Sequence, residues 1–494
     1  MIYRSTRGNE ETVSSSKAIL QGIAADGGLY VPEQFPCING PLDALAEISY
    51  KQLACLIMEK YLTDFRAEEL QVCADRAYTC KFDTPWVAPL IEKTGVHFLE
   101  LHHGPTLAFK DLALTILPHL MKAALEKHNP GKEVVILTAT SGDTGKAALE
   151  GFANVEGTKV IVFFPENGVS DIQKLQMLTQ EGSNTFVAGI DGNFDDAQSG
   201  VKEILNDHMF KQKLSSSNYM LSSANSINIG RLIPQIVYYF YAYLTLLRER
   251  KVKAGEAVNT VVPTGNFGNI LAAYYAKKMG LPINKLICAS NENNVLYHFL
   301  QNGVYDGRRE LKLTSSPSMD ILISSNLERL LYEISGRDSN LINILMSKLI
   351  SERKYEVTDA MKKGLTDFYG GYASELETSY SIRRVFEASG YVMDTHTAVA
   401  YAVYEKYKRQ TNDKSQTIIV STASPFKFGR AVGKALGINT DKLDDFSVIK
   451  QLSASAQIAI PQAIRELENK RIVHDNLCRK HEMKLAIQNF LKCR

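Results

Sequence analysis

Short apolar runs rich in β-branched residues alternate with longer amphipathic runs through the middle of this chain. Glu133–Ala139 reads as a buried strand and Gly145–Val155 as a helix. Lys159–Pro165 predicts the next strand, followed by a helix over Asp171–Gln180. Thr185–Ile190 and Asp195–Asp207 repeat the pair, and Thr260–Pro263, Asn269–Met279 and Lys285–Ala289 extend it. This alternation predicts an α/β fold with parallel sheets covered by helices. After Met319 the pattern turns mostly helical, with one clear late strand at Thr417–Val420.

The first ninety or so residues follow a different pattern. An irregular Gly-containing opening over Gly22–Pro32 precedes two helix-like stretches, Leu45–Leu62 and Ala67–Cys80. Asp83, Thr84, Pro85 and Pro89 then interrupt the periodicity, which predicts a domain boundary. The most apolar stretch, Leu232–Leu247, contains Pro234 and Gln235 between Arg231 and Arg248. It is too short to span a bilayer and reads as a buried helix of a large core.

A chain of 494 residues exceeds what one core supports, so two or three domains are expected. Hydrophobic residues at 45% and charged residues at 22% fit a globular protein rather than a disordered one. Lys plus Arg total 56 against 54 for Asp plus Glu, with no basic block, so charge gives no reason to invoke nucleic acid or a membrane surface. The seven cysteines are scattered without Cys-x-x-Cys spacing. That pattern predicts no zinc site and a reduced, cytoplasmic protein. Met1–Glu10 has no apolar run of the signal-peptide kind.

Candidate chemistry lies in three loops that follow strands and open helices, the place where open parallel sheets bind ligands. In Thr264-Gly265-Asn266-Phe267-Gly268-Asn269 the glycines permit close backbone approach, and amides at the helix start point toward an anion. The Gly-Lys-Ser/Thr ending of a Walker loop is missing. The same composition also suits a purely steric strand–helix turn. Thr140-Ser141-Gly142-Asp143-Thr144-Gly145 serves equally as a helix cap or as a cradle for a substrate anion. In His102–Asp111, Lys110 sits between Phe109 and Leu112 and opens an apolar helix over Leu112–Leu125. A surface lysine is the plain alternative; burial instead would depress the amine pKa and free a nucleophile and base. His102 and His103 are adjacent, a spacing that rarely chelates one metal, so no metal site is expected.

His103-Gly-Pro-Thr106 with Phe109-Lys110-Asp111, Ser141-Gly-Asp-Thr-Gly145 and Gly265-Asn-Phe-Gly-Asn269 together resemble the fold-type II pyridoxal-phosphate (PLP) enzymes, most closely the threonine synthase family. Gly189–Asp196, Ser226–Arg231 and Ser421–Pro425 agree, and Tyr3–Arg7 with Asp26–Tyr30 look like that family's extra N-terminal domain. The resemblance runs in order over nearly the whole chain. It implies a mainly helical N-terminal domain over 1–90, a catalytic region of two interleaved α/β domains over 91–430, and a C-terminal helical segment over 431–494 packed on that region. It implies Lys110 as the Schiff-base lysine, and Gly265, Asn266, Phe267, Gly268 and Asn269 as the cup for the PLP phosphate. Asp143 would lie near the cofactor's 3-oxygen, where many relatives carry Asn, and Thr422 would face the pyridine nitrogen. Ser141 and Thr144 would lie beside the substrate, with Asn225, Ser226 and Arg231 gripping its phosphate. The implied reaction converts O-phospho-L-homoserine and water to L-threonine and phosphate, in a monomer or homodimer. Alternatives are a phospho-lyase releasing 2-oxobutyrate, a β-replacement or dehydratase enzyme of the same fold type, and a cofactor-free binding or regulatory relative.

Overall fold

In the computed structural model the strand–helix alternation builds two sheets. All residues are described except positions 9, 10, 39, 141, 167, 168, 170 and 494 and the side chains at 194 and 195. The smaller sheet is parallel throughout, in the order Asn476–Cys478, Thr185–Ile190, Thr158–Pro165, Glu133–Ala139, Tyr219–Ser222. The larger runs Phe368–Tyr372, Ile283–Ser290, Val258–Pro263, Thr417–Ser421, Val96–Glu100, Leu90–Lys93, and only its last pair is antiparallel. Helices cover both faces of the central strands, which explains their near-continuous apolar runs. The chain enters the larger sheet at Leu90, leaves it for the smaller at Glu133, returns at Val258, and comes back to the smaller at Asn476.

The helix Ile229–Arg248 is buried along almost its whole length and packs against the helices Tyr50–Tyr61, Asp111–Leu114 and Gly268–Lys278. Among the described residues no helix is long and apolar enough to cross a membrane. The N-terminal part is a three-stranded antiparallel sheet, Val13–Ser14, Ile2–Ser5 and Tyr30–Pro32, with helices Ser15–Gln21, Tyr50–Tyr61 and Ala67–Tyr78. Tyr50–Tyr61 starts later than the apolar periodicity predicts, because Ser49 and Gln52 form a capping box there.

Three expectations need correction. The helix expected over Leu112–Leu125 is two helices, Asp111–Leu114 and Leu117–His128, with Pro118 in the first turn of the second. Proline suits a first turn, where its missing N–H would have no helical partner in any case, so a new helix begins there. The segment after 430 is not purely helical, since Asn476–Cys478 adds an edge strand beside Ala188–Ile190. Lys354–Glu356 and Phe368–Tyr372 are further late strands. Two glycines weaken the β signal of the latter, and packing crowds both: a Cβ on Gly371 would clash with Val403 at 2.5 Å, and one on Gly370 would press on Leu300 at 3.1 Å.

Candidate active site

The loop before Lys110 is tied down by its own side chains. The Asp111 carboxylate folds back to accept from the Thr106 amide at 2.8 Å and its hydroxyl at 2.6 Å. A Cβ on Gly104 would lie 2.6 Å from Asp111, so this turn accepts only glycine. Burial pushes the Asp111 carboxyl up to about 6, against the lowering effect of the Thr106 bonds. On the other side the Phe109 amide donates to the Thr422 carbonyl at 2.8 Å, and the Ser424 amide to the Leu107 carbonyl at 3.0 Å. Lys110 is thus held beside Thr422 by the backbone.

The Lys110 ammonium lies 3.6 Å from Asp143 Oδ2. Burial brings its pKa down to about 8; Asp143 opposes the shift, while Lys427 and Arg231 reinforce it. Asp143 opens the helix Asp143–Phe152, whose N-terminal dipole favours a carboxylate. It pairs with Lys427 at 2.8 Å and accepts from Gln173 at 2.9 Å and from the Ser318 hydroxyl at 3.3 Å. Burial alone would raise its pKa, but Lys427 and Lys110 outweigh that and hold the group well below the usual carboxylate range. The loop ahead of it is closed by Thr140, whose Oγ1 accepts from the amides of Gly142 and Gly145, both at 3.0 Å. Thr144 is partly exposed in the first helical turn, and Ser141 lies outside the described residues.

In the loop after the strand Val258–Pro263 only Asn266 is exposed. Phe267 adopts φ +62° and turns its ring into the core against Phe368, with centroids 5.7 Å apart. Asn269 Oδ1 accepts from the hydroxyls of Tyr238 at 2.7 Å and Tyr239 at 2.5 Å, leaving Nδ2 buried without a protein partner. The loop around Asn225, Ser226 and Arg231 lies alongside. Asn225 caps its own turn by accepting from the Asn228 amide at 3.0 Å, and Ser226 accepts from Asn326 at 3.2 Å. Arg231 is buried, donates to the Ala224 carbonyl at 2.9 Å, and keeps Nε unpartnered. Among the described residues it has no carboxylate partner, and burial brings its pKa down to about 10. A buried guanidinium in this condition has donor capacity and charge left to offer an anion.

These residues fit PLP. A largely buried amine of lowered pKa, a helix N-terminus with an unpartnered buried amide, and a buried arginine match the carbonyl and phosphate chemistry such a group brings.

Several site residues were not singled out by sequence reasoning. Lys427, fully buried, supplies the closer cation on Asp143. It stands between Phe426 and Phe428, the same apolar flanking that marks Lys110. Ser318 reaches Asp143 from a strap anchored by Asp320, whose Oδ1 accepts from Asn291, Asn293 and Thr314 at 2.7–2.8 Å. The strap is held from below by His396 Nε2, which accepts from the Ser318 amide at 3.2 Å, while Asp394 fixes its Nδ1 at 2.8 Å. Asn326 joins the two anion loops through contacts that only folding creates.

Comparison with known proteins agrees with this architecture. Residues 2–78 match the family model described as threonine synthase N terminus, residues 83–423 that for pyridoxal-phosphate dependent enzymes, and residues 397–473 that for threonine synthase, C-terminal. The chain is 38% identical over 466 residues to threonine synthase of Saccharomyces cerevisiae, covering 88% of this chain and 89% of that protein. It is 42% identical over 445 residues to human threonine synthase-like 1, covering 87% of this chain but spanning only 59% of that longer protein. The crystal structure of PLP-bound threonine synthase from Brucella melitensis superposes with a TM-score of 0.88 at 35% identity, covering 100% of this chain and 99% of that one. The fold is accordingly fold-type II.

Proposed function

Because the chain belongs to the threonine synthase family of PLP enzymes, we propose that it converts O-phospho-L-homoserine and water to L-threonine and inorganic phosphate. The observation that carries the reading is the largely buried Lys110 amine, its pKa lowered to about 8, beside Asp143.

PLP, when bound, supplies an electron sink that makes protons near the substrate's amino-bearing carbon removable. The chain's own groups do the rest. Backbone amides of Gly265–Asn269 would hold the cofactor phosphate, and Asp143 and Thr422 would face its ring. Arg231 would grip the substrate phosphate, with Asn225 and Ser226 beside it and Thr144 nearer the amino-acid end, while Ser141 lies outside the described residues. Lys110 Nζ takes the proton from Cα, then moves protons at Cβ and Cγ as phosphate departs from the γ-carbon. Water then adds at Cβ and gives the threonine hydroxyl. The seven cysteines are all unpaired, which supports a cytoplasmic location.

The test is to supply the PLP-loaded full chain with O-phospho-L-homoserine and to quantify phosphate and organic product together. Threonine equimolar with phosphate is the expected result. Phosphate with 2-oxobutyrate would instead identify a phospho-lyase, and no phosphate release would remove the substrate assignment.

A further inference from the structure

Lys427 comes from the turn Pro425–Phe428 after the strand Thr417–Ser421, and none of its side chain is exposed (0%). Its ammonium donates to the Thr106 carbonyl at 2.8 Å and pairs with Asp143 Oδ1 at 2.8 Å. Lys110 faces the other oxygen of the same carboxylate at 3.6 Å. One carboxylate therefore serves two ammonium groups, and the closer contact belongs to the lysine with no access to water. A buried ammonium stripped of its counter-charge is strongly disfavoured, so Lys427 binds Asp143 first and Lys110 receives what remains.

We propose that Lys427 is a positioning residue that occupies Asp143 and thereby leaves the Lys110 amine free to lose its proton and bond a carbonyl carbon. The inference rests on Lys110 being the amine that carries the cofactor. The charged groups around it come from four elements. Asp143 stands at a helix start, Lys427 on the turn and Arg231 on the long buried helix, while Asp111 is the next residue, its carboxylate turned back to Thr106. Cations outnumber the carboxylate that faces Lys110, so the local field favours the neutral amine. In the bonding step the neutral nitrogen adds to the aldehyde carbon, both of its protons pass to the aldehyde oxygen, and that oxygen leaves as water while the carbon–nitrogen double bond forms. Without Lys427, Lys110 becomes the sole cation on Asp143, the pair closes, and the proton is held more tightly.

The experiment follows capture of PLP by the cofactor-stripped full chain, by stopped flow between about pH 6 and 10. The midpoint of the rate against pH reports the amine, and the wild-type midpoint is expected near 8. In Lys427→Met it should rise by about one unit, so capture near pH 7 slows ~10-fold while the two profiles converge at high pH. Replacing both members of the pair, Asp143→Asn with Lys427→Met, should bring the midpoint back down. Should Lys427→Met alone fail to fold, the midpoint should still rise from single Asp143→Asn to the double variant. A slower rate with an unmoved midpoint makes Lys427 merely structural and overturns the inference. A borohydride-fixed adduct on a lysine other than Lys110 overturns instead the reading on which it rests.

Discussion

The side-chain amide of Asn326 lies 3.2 Å from Ser226 Oγ, and the same nitrogen donates to the Asn266 carbonyl at 3.1 Å. One fully buried residue thus ties the loop that carries Ser226 to the loop Gly265–Asn269. It is held in place by Arg329, which donates to Asn326 Oδ1 at 2.6 Å and to the carbonyls of Tyr30 and Ile227 at 3.0 and 2.6 Å. The N-terminal sheet, through Tyr30, therefore takes part in building the site.

Asn326→Ala removes both donor contacts and strips Arg329 of an acceptor, a loss of about 2–3 kcal/mol for buried polar groups left unpaired. Cofactor retention and KM for the phosphorylated substrate are expected to worsen together. Equilibrium dialysis of PLP alongside steady-state kinetics checks this, and a change confined to one of them would show that the amide does not couple the loops.

The two loop glycines should behave differently. A Cβ on Gly265 would sit 2.6 Å from the Ser318 carbonyl, which is backbone and must move. Gly265→Ala is therefore expected to cost about 1–3 kcal/mol of stability and to weaken cofactor binding. A Cβ on Gly268 meets Asn326 Nδ2 only at 3.4 Å, ordinary contact, so Gly268→Ala should fold normally. The branched side chain of Gly268→Val projects into the junction of the two loops, and there PLP retention should fall while folding survives. Thermal melts and visible absorbance of the four proteins separate these outcomes.

Arg231 has one carbonyl partner and an unpartnered Nε, so an anion should stabilise the cofactor-free protein. Inorganic phosphate is expected to raise its Tm in a concentration-dependent way, and Arg231→Ala to abolish that rise. The same variant should weaken use of O-phosphohomoserine by roughly 2–4 kcal/mol, the loss of a buried charge-assisted contact, with slow turnover of neutral amino acids retained. Equal losses toward phosphorylated and unphosphorylated substrates would make Arg231 a structural residue.

His103 is spanned by Asp83 at 2.6 Å and Glu100 at 2.9 Å. Burial lowers its pKa, but these two carboxylates outweigh burial and raise it from 6.5 to about 9. Its contribution to stability is therefore fully present below pH 6.5 and is lost as pH rises through about 9. Comparing Tm of the wild type and His103→Gln across that window tests the assignment: the gap should narrow toward alkaline pH. A constant gap would mean that the imidazole acts by shape alone.

Local physics accounts for what the sequence by itself determined. β-Branched runs such as Val134–Leu137 and the apolar stretch around Ile236 commit their segments to strand and helix, because burial on two faces leaves a continuous apolar signature. The loop residues Gly104, Gly265 and Lys110 stand out for a related reason: turn geometry and an uncharged neighbourhood are visible within a few positions of the chain. The same locality hid the edge strand Asn476–Cys478, which has almost no pattern of its own and exists because Ala188–Ile190 offers it a ladder. It also hid the division of labour within the site. That Asp143 answers first to Lys427, that Ser318 reaches over from a distant strap, and that Asn326 joins two loops are long-range pairings decided only when the interleaved sheets pack. No residue's immediate neighbours specify which buried charge it will meet; desolvation does, once tertiary structure has excluded water and left each charge the partners within reach.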